Sequence, residues 1–306
     1  MNLWQEYLRP TNLSQALKAF AEATGPVLPI AGGTDLLLDL EQGRHVAVHT
    51  LVDVTSVAEM TALELRGDQL FVGAAVPVNR IVLDPLAGTH AQALTEACNL
   101  IAGPQVRNVA TLGGNVAHAL PAADGTIALL ALDAQAEIAA INALAAVPGG
   151  VKTYRVPFQE LFLGPGKSVL KHGEELLVGF YIPIQKPPRD SKSLRVSSCF
   201  KRIMRPQGVA LPIINVAIWL ERAEDVIGQI RIAVGPGAAT PWRATEAEKV
   251  LIGKPLTDET FNAALEALLA QVGFRSSARR ASADYRRHIV AGLFKDVLET
   301  AWSRAL

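Results

Sequence analysis

Two glycine pairs, Gly32-Gly33 and Gly113-Gly114, constrain this chain more than any other feature. Each follows a segment that reads as a strand or turn bounded by breakers. Glycine permits positive φ and removes the Cβ that would hold a ligand away from the main chain. Consecutive backbone N–H groups in such turns form a nest for anions, and a following helix N-terminus adds positive potential. Thr34, Thr111 and Asn115 place side-chain donors at the same points. Two such loops brought together can grip a pyrophosphate without any lysine. Tight turns that need glycine only for steric reasons would leave the same pairs, and the pairs alone leave both readings open.

Composition narrows the class. Of 306 residues, half are hydrophobic and 19% charged, below the roughly 25% charged of an ordinary soluble domain. That length allows one large domain or a few small ones with a real core, and the apolar content excludes disorder as the main state. The 29 basic and 29 acidic residues balance, so no general field draws nucleic acid or an anionic membrane. MNLWQEYLRP lacks the basic and apolar regions of a signal peptide. The greasiest stretch, Ile127 to Val147, is broken by Asp133 and Glu137, short of the roughly 18 near-uncharged residues of a membrane span. The two cysteines, Cys98 and Cys199, form no CxxC, so no thiolate zinc site or iron–sulfur cluster can be built from this chain. They read as buried thiols of a reducing cytoplasm.

Along the chain, Leu13, Ala16, Leu17 and Phe20 predict a helix with Thr11 as N-cap. Val27 to Ala31, the first glycine pair and Leu36 to Leu40 read as strand, tight turn and helix. A strand follows at Leu51 to Val54, then a hairpin from Ala62–Arg66 and Leu70–Ala74 about Gly67-Asp68. Leu94, Ala97, Leu100 and Ile101 make a helical stripe that stops at Gly103-Pro104. Val147-Pro148-Gly149-Gly150 marks a surface loop, and Leu176 to Pro183 a strand. The breaker-rich, charged stretch from Gln185 to Ser198 reads as a linker. Beyond it, Cys199–Arg205, Leu211–Leu220 and Gln229–Gly235 predict three antiparallel strands, followed by helices over Thr240–Ile252 and Thr257–Val272 and a final helix through Tyr285, Ile289, Leu293, Val297 and Ala301. Strands followed by helices suggest a separate α+β unit.

Other chemistries lack their motifs. The six histidines form no HExxH, and there is no GxSxG elbow, no P-loop and no GxGxxG after a strand.

The segments AGGTDLL at 31–37 and IAGPQVRNVATLGGNVAHALPAADG at 101–125 resemble the FAD-binding medium subunit of molybdenum hydroxylases, the xanthine dehydrogenase and carbon monoxide dehydrogenase family. Glu174-Glu175-Leu176-Leu177 with Ile182-Pro183, then Phe200-Lys201-Arg202, Gly235-Pro236-Gly237-Ala238-Ala239 and the run Ser276–Arg287 continue the resemblance in order and nearly end to end. It implies an α+β fold: a two-lobed FAD-binding domain of the PCMH type over 1–184, with lobes near 1–55 and 56–184, then a linker at 185–198. A smaller C-terminal α+β domain, an antiparallel sheet with helices, would occupy 199–306.

By the same resemblance, Pro29, Ile30, Ala31, Gly32, Gly33, Thr34 and Asp35, with Thr111, Gly113, Gly114 and Asn115, would hold the FAD pyrophosphate and ribityl oxygens. Asp124 would make a polar contact to FAD, Ile101 and Ala102 would line the isoalloxazine with Leu177 opposite, and Lys201 would lie near the ring. An ammonium there would stabilise the negative charge of a reduced flavin; the bland alternative is a solvated strand lysine. Ile101 stands where some relatives place an aromatic, which puts more of the binding on the two loops. No histidine lies in the first loop, so FAD should be non-covalent, and His118 reads as structural.

The resemblance also implies partners: a small subunit with [2Fe–2S] clusters and a large molybdopterin subunit, assembled as a dimer of heterotrimers. Electrons would pass through FAD to an external acceptor. Arg205-Pro206-Gln207-Gly208 departs from the arginine and acidic residue that relatives often carry, which leaves the acceptor open. Arg275, Arg279, Arg280, Arg286 and Arg287 fit a subunit interface or a solvated helix face equally well. A self-contained flavin reductase or oxidase of the same fold, and a cofactor-free scaffold, are the other readings.

Overall fold

The computed structural model describes residues 3–141, 150–184, 194–205, 211–278 and 280–306. The 147–149 part of the expected surface loop, most of the expected linker, Pro206-Gln207-Gly208 and Arg279 lie outside them.

The first 55 residues hold β1 (Glu6–Leu8), α1 (Leu13–Glu22), β2 (Val27–Ile30), α2 (Leu36–Glu41) and β3 (Thr50–Asp53). Their strands form a parallel sheet in the order β1-β3-β2. The apolar stripe of α1 is buried as its spacing requires. Its cap is Asn12 rather than Thr11: the Asn12 side chain accepts from the Gln15 N–H at 2.9 Å, while Thr11 donates outward to the Gln15 side chain.

The next stretch carries α3 (Ala58–Thr61), β4 (Leu63–Arg66), β5 (Gln69–Gly73), α4 (Val78–Leu83), α5 (Pro85–His90), α6 (Gln92–Leu100), α7 (Pro104–Arg107), α8 (Leu112–Ala117) and α9 (Asp124–Ala131). It closes with β6 (Gln135–Ile141), β7 (Val151–Pro157), β8 (Phe162–Gly164), β9 (Lys167–Ser168) and β10 (Glu175–Pro183). An antiparallel sheet of order β4-β5-β10-β6-β7 forms its base. The apolar run from Ile127 resolves into α9, buried along its whole length, and β6. A helix apolar on all sides is a core helix, and α9 packs between α6 on one side and the second domain on the other. Among the described residues no helix is long and apolar enough to cross a membrane.

The second domain is an antiparallel sheet of order β11-β12-β13-β14, from β11 (Leu194–Ile203), β12 (Ile214–Ala223), β13 (Val226–Gly235) and β14 (Trp242–Arg243). The helices α10 (Thr245–Leu251), α11 (Asp258–Gln271) and α12 (Ala283–Arg304) follow it. β11 starts at Leu194, ahead of the strand expected from Cys199, because its first residues, a mixed and largely unburied Leu-Arg-Val-Ser run, pair with Leu220–Ala223.

Strand alternation divides the sheet between two cores. On β12, Ile214, Val216, Ile218 and Leu220 pack in the core shared with α10–α12, whereas Ala217 and Trp219 join the core of the first domain. β11 follows suit, with Cys199 in the helix-side core and Phe200 in the other. The outer edge of β11 is covered by side chains. Glu96 accepts from the Phe200 N–H at 2.8 Å, and Arg304 donates to the Ser198 carbonyl at 2.9 Å and pairs with Glu96 at 2.6 Å.

Both cysteines are free and buried. Burial, then nearby Asp124, pushes the Cys98 thiol up, and burial with Glu96 pushes Cys199 up to about 12. Thiols so raised hold almost no thiolate at pH ~8. A thiol-modifying reagent should therefore label neither cysteine in the native chain and both after denaturation, as counted by mass spectrometry.

Candidate functional site

The segments that carry the two glycine pairs meet. The first loop, from Ala31 to Asp35, leaves β2 and enters α2, with Gly33 at φ 68°. A Cβ on Gly32 would lie 2.1 Å from the Val109 carbonyl oxygen and 2.9 Å from the Ala110 Cα. Only a residue without a side chain lets the loop rest on this backbone, immediately before Thr111. Among the described residues no group accepts from the backbone N–H of Gly32, Gly33, Thr34 or Asp35. Pro29 is exposed on β2, and its neighbour Ile30 is buried in the small core beneath.

The second loop is built differently. Thr111 is buried at the N-cap of α8, where its Oγ1 accepts from the Gly114 N–H at 3.1 Å. The Leu112 N–H donates to the Val76 carbonyl at 3.2 Å and the Gly113 N–H to the Ala74 carbonyl at 2.8 Å. These donors are committed within the protein, so the anion nest read into both loops resides in the first one. The second pair also divides. A Cβ on Gly113 would lie 2.5 Å from the Ala74 oxygen, so that glycine is needed sterically. A Cβ on Gly114 would have only Thr111 Oγ1 within reach, at 3.3 Å, and Gly114 is exposed. Beside it, Asn115 Oδ1 is buried with no hydrogen-bond partner. Buried polar atoms are rarely left unpaired, and this one is an acceptor awaiting a donor.

Ile101 and Ala102 form a half-buried turn after α6, with Ala102 at φ 46°. Arg107 holds it: Nη1 donates to the Ile101 carbonyl at 3.0 Å and the Ala102 carbonyl at 2.8 Å. Arg107 lies in α7, whose exit carries Val109, so the turn is tied to the segment that supports Gly32. Leu177 is buried on β10 at a bulge. Its neighbour Val178 accepts from the Ala74 N–H at 2.8 Å, and the Ala74 carbonyl receives the Gly113 N–H. Ile101, Ala102 and Leu177 are thus each linked by short paths to the two loops.

Two residues expected to contact FAD have partners within the chain. Asp124 is buried, and both its oxygens are engaged by the second domain: Arg202 Nη1 donates to Oδ2, and Asn215 Nδ2 to Oδ1 at 2.7 Å. Burial raises its pKa, while the Arg202 guanidinium and the Asn215 amide oppose the rise. Lys201, expected beside the flavin, lies on the opposite face of β11 from the first domain. There it donates to Asp296 at 2.6 Å and Thr300 at 2.9 Å of α12. Alternation explains this: Lys201 sits opposite Val216 of the helix-side core, whereas Arg202 sits opposite Asn215 and turns to the first domain. Arg202, Asn215 and Arg107 were not singled out from sequence. The parity of Phe200-Lys201-Arg202, with an aromatic core residue one step before the lysine, is the signal that finds Arg202.

These features fit a diphosphate-bridged cofactor: open amides on one loop, an unobstructed glycine and an unpaired acceptor on the other, and an apolar turn alongside. Among the described residues no group of three His, Cys, Asp or Glu side chains can hold a metal.

Comparison with known proteins agrees. Residues 3–185 match the family of the FAD binding domain in molybdopterin dehydrogenase, and residues 198–301 match the CO dehydrogenase flavoprotein C-terminal domain. The chain is 34% identical over 300 residues to the putative xanthine dehydrogenase FAD-binding subunit XdhB of Escherichia coli K12, covering 98% of this chain and 96% of the relative. It is 26% identical over 299 residues to the carbon monoxide dehydrogenase medium chain of Hydrogenophaga pseudoflava, covering 98% and 97%. Among solved structures, carbon monoxide dehydrogenase from the same organism superposes with a TM-score of 0.85 at 26% identity, covering 99% of this chain and 98% of that one. Quinoline 2-oxidoreductase from Pseudomonas putida 86 gives 0.84 at 26% identity, with the same coverage.

The asymmetry of the loops sets a test. Gly32→Ala forces a Cβ into the Val109 carbonyl and should lower unfolding free energy by about 1–3 kcal/mol. Gly114→Ala meets only the Thr111 hydroxyl, at 3.3 Å, and should change it by less than about 1 kcal/mol. Chemical denaturation of the two variants measures the difference.

Proposed function

The chain belongs to the family of FAD-binding subunits of molybdopterin dehydrogenases, oxidoreductases that include the xanthine and carbon monoxide dehydrogenases, and from this we propose that it is the electron-transfer subunit of a molybdenum hydroxylase. In that role it takes electrons from the [2Fe–2S] clusters of a small partner subunit, which in turn serves a large molybdopterin subunit. It passes them to an external acceptor. The observation that carries the reading is the backbone contact of Gly32 with Val109-Ala110, which brings the loop after β2 against the connection between α7 and α8.

The residues divide the work by their chemistry. The open amides of Gly32 to Asp35 with the Thr34 hydroxyl suit the pyrophosphate, since each is a donor and none is spent on a group among the described residues. Gly114 leaves room for close approach. Asn115 Oδ1 can only accept, so it suits a ribityl hydroxyl better than a phosphate oxygen. Ile101, Ala102 and Leu177 offer apolar surface to the isoalloxazine, and Arg107 keeps the 101–102 turn in its left-handed bend. Pro29, Ile30 and Ala31 shape the approach to the first loop, and Thr111 and Gly113 brace the second. Asp124 is held by Arg202 and Asn215 of the second domain, and Lys201 is paired with Asp296 and Thr300 of α12. When bound, FAD supplies one- and two-electron redox chemistry. With no histidine from Pro29 to Asp35, nothing in that loop offers the usual covalent attachment.

Two free, buried thiols leave no ligands for clusters in this chain and suit a reducing cytoplasm. The clusters and the molybdenum cofactor therefore belong to partners, in an assembly proposed as a dimer of heterotrimers.

The purified chain should be yellow, with FAD bound at a ratio of about one per chain and released intact by acid. Gly114→Val should keep the fold by circular dichroism and lose FAD. Folded wild-type protein that takes up no FAD overturns the proposal, and steady turnover of a reductant by the isolated chain would point to a self-contained reductase.

A further inference from the structure

The contact between the two domains contains a buried ion pair that stability alone does not explain. Arg202 and Asp124 have side chains only 6% and 5% exposed. Desolvating two charges often cancels their attraction, and apolar replacements of such pairs are frequently neutral or stabilising. Arg202 Nε, moreover, is buried without a partner, and so is Asn215 Oδ1. What the pair does supply is position.

Asp124 is the first residue of α9, and the next residue, Gly125, is the seat of the second loop. A Cβ on Gly125 would lie 2.8 Å from Asn115 Oδ1 and 2.8 Å from Leu112 Cδ1. The start of α9 therefore bears directly on the side chains of α8 that follow Thr111. Arg202 and Asn215 grip that start from the second domain, with Asn215 also donating to the Ala122 carbonyl at 3.1 Å. We infer that Arg202 is a positioning residue for the flavin site: through Asp124 and Gly125 it fixes Asn115, so the second domain sets how tightly the second loop holds FAD. The inference rests on the proposed FAD function but concerns how Arg202 of the second domain supports the loop that carries Asn115.

A double-mutant cycle on the full chain tests it, with FAD as the probe and its dissociation constant read from flavin fluorescence. Arg202→Met should weaken FAD binding by about tenfold, and Asn115→Ala should weaken it too. On the Asn115→Ala background the further effect of Arg202→Met should nearly vanish, and Arg202→Lys, which keeps the charge, should restore part of the affinity. A general structural role would lower the melting temperature of the apo chain but leave the two effects additive. Additivity, or wild-type affinity in Arg202→Met, overturns the inference. Should Arg202→Met fail to fold, Asn215→Ala keeps the ion pair, loosens the same grip and enters the same cycle under the same criteria. Failure of the wild type to bind FAD would instead defeat the functional reading, and the two outcomes are told apart by the wild-type titration alone.

Discussion

The approach of the Gly32 backbone to the Val109 carbonyl is the constraint from which the rest of the site follows. The parallel sheet and the five-stranded antiparallel sheet are built from separate stretches of chain that share the main core through α1 and Val52, and a side chain at position 32 would lift the loop after β2 off the Val109-Ala110 backbone. With none there, the loop after β2 lies against the segment that enters α8. That segment is anchored in turn: Ala110 accepts from Val78, and Ala74 accepts from Gly113. A ligand reaching from one loop to the other therefore meets two fixed walls.

The walls have different chemistry, and that difference was only half legible in the sequence. The glycine pairs, their flanking strand and helix, and the strands that became β10, β12 and β13 could be read from local pattern. Which amides remain open could not, because it depends on Ala74 and Val76, distant in sequence from the loop they engage. Asn12 in place of Thr11 as the cap of α1 is a one-residue matter decided by backbone geometry. Lys201 shows the limit most clearly. A motif locates a residue along the chain, but in a strand the face reverses at every step, and here Lys201 pairs with Asp296 on the helix side while Arg202 turns to the first domain.

The seam between the domains is polar as well as apolar. Besides the grip on Asp124, Arg231 donates to the Ala131 carbonyl at 3.0 Å, and the Ser198 hydroxyl accepts from the Ala93 N–H at 3.0 Å. Both ends of α9 are thus held from the second domain. Directional bonds of this kind fix orientation where apolar contact alone would allow sliding. A sheet that presents one face to its own helices and the other to a neighbouring domain needs such registration.

The covering of β11 by Glu96 and Arg304 has a bearing on how the chain can be divided. An open, ten-residue sheet edge is a template for another strand, and here the carboxylate that shields it comes from the first domain. Cut free of that domain, the C-terminal half would show unsatisfied main-chain groups beside an uncovered Phe200 and Trp219, a surface prone to self-association and aggregation. Carrying both halves on one polypeptide keeps the shield at high local concentration during folding, so the continuity of the chain is itself a safeguard of its solubility.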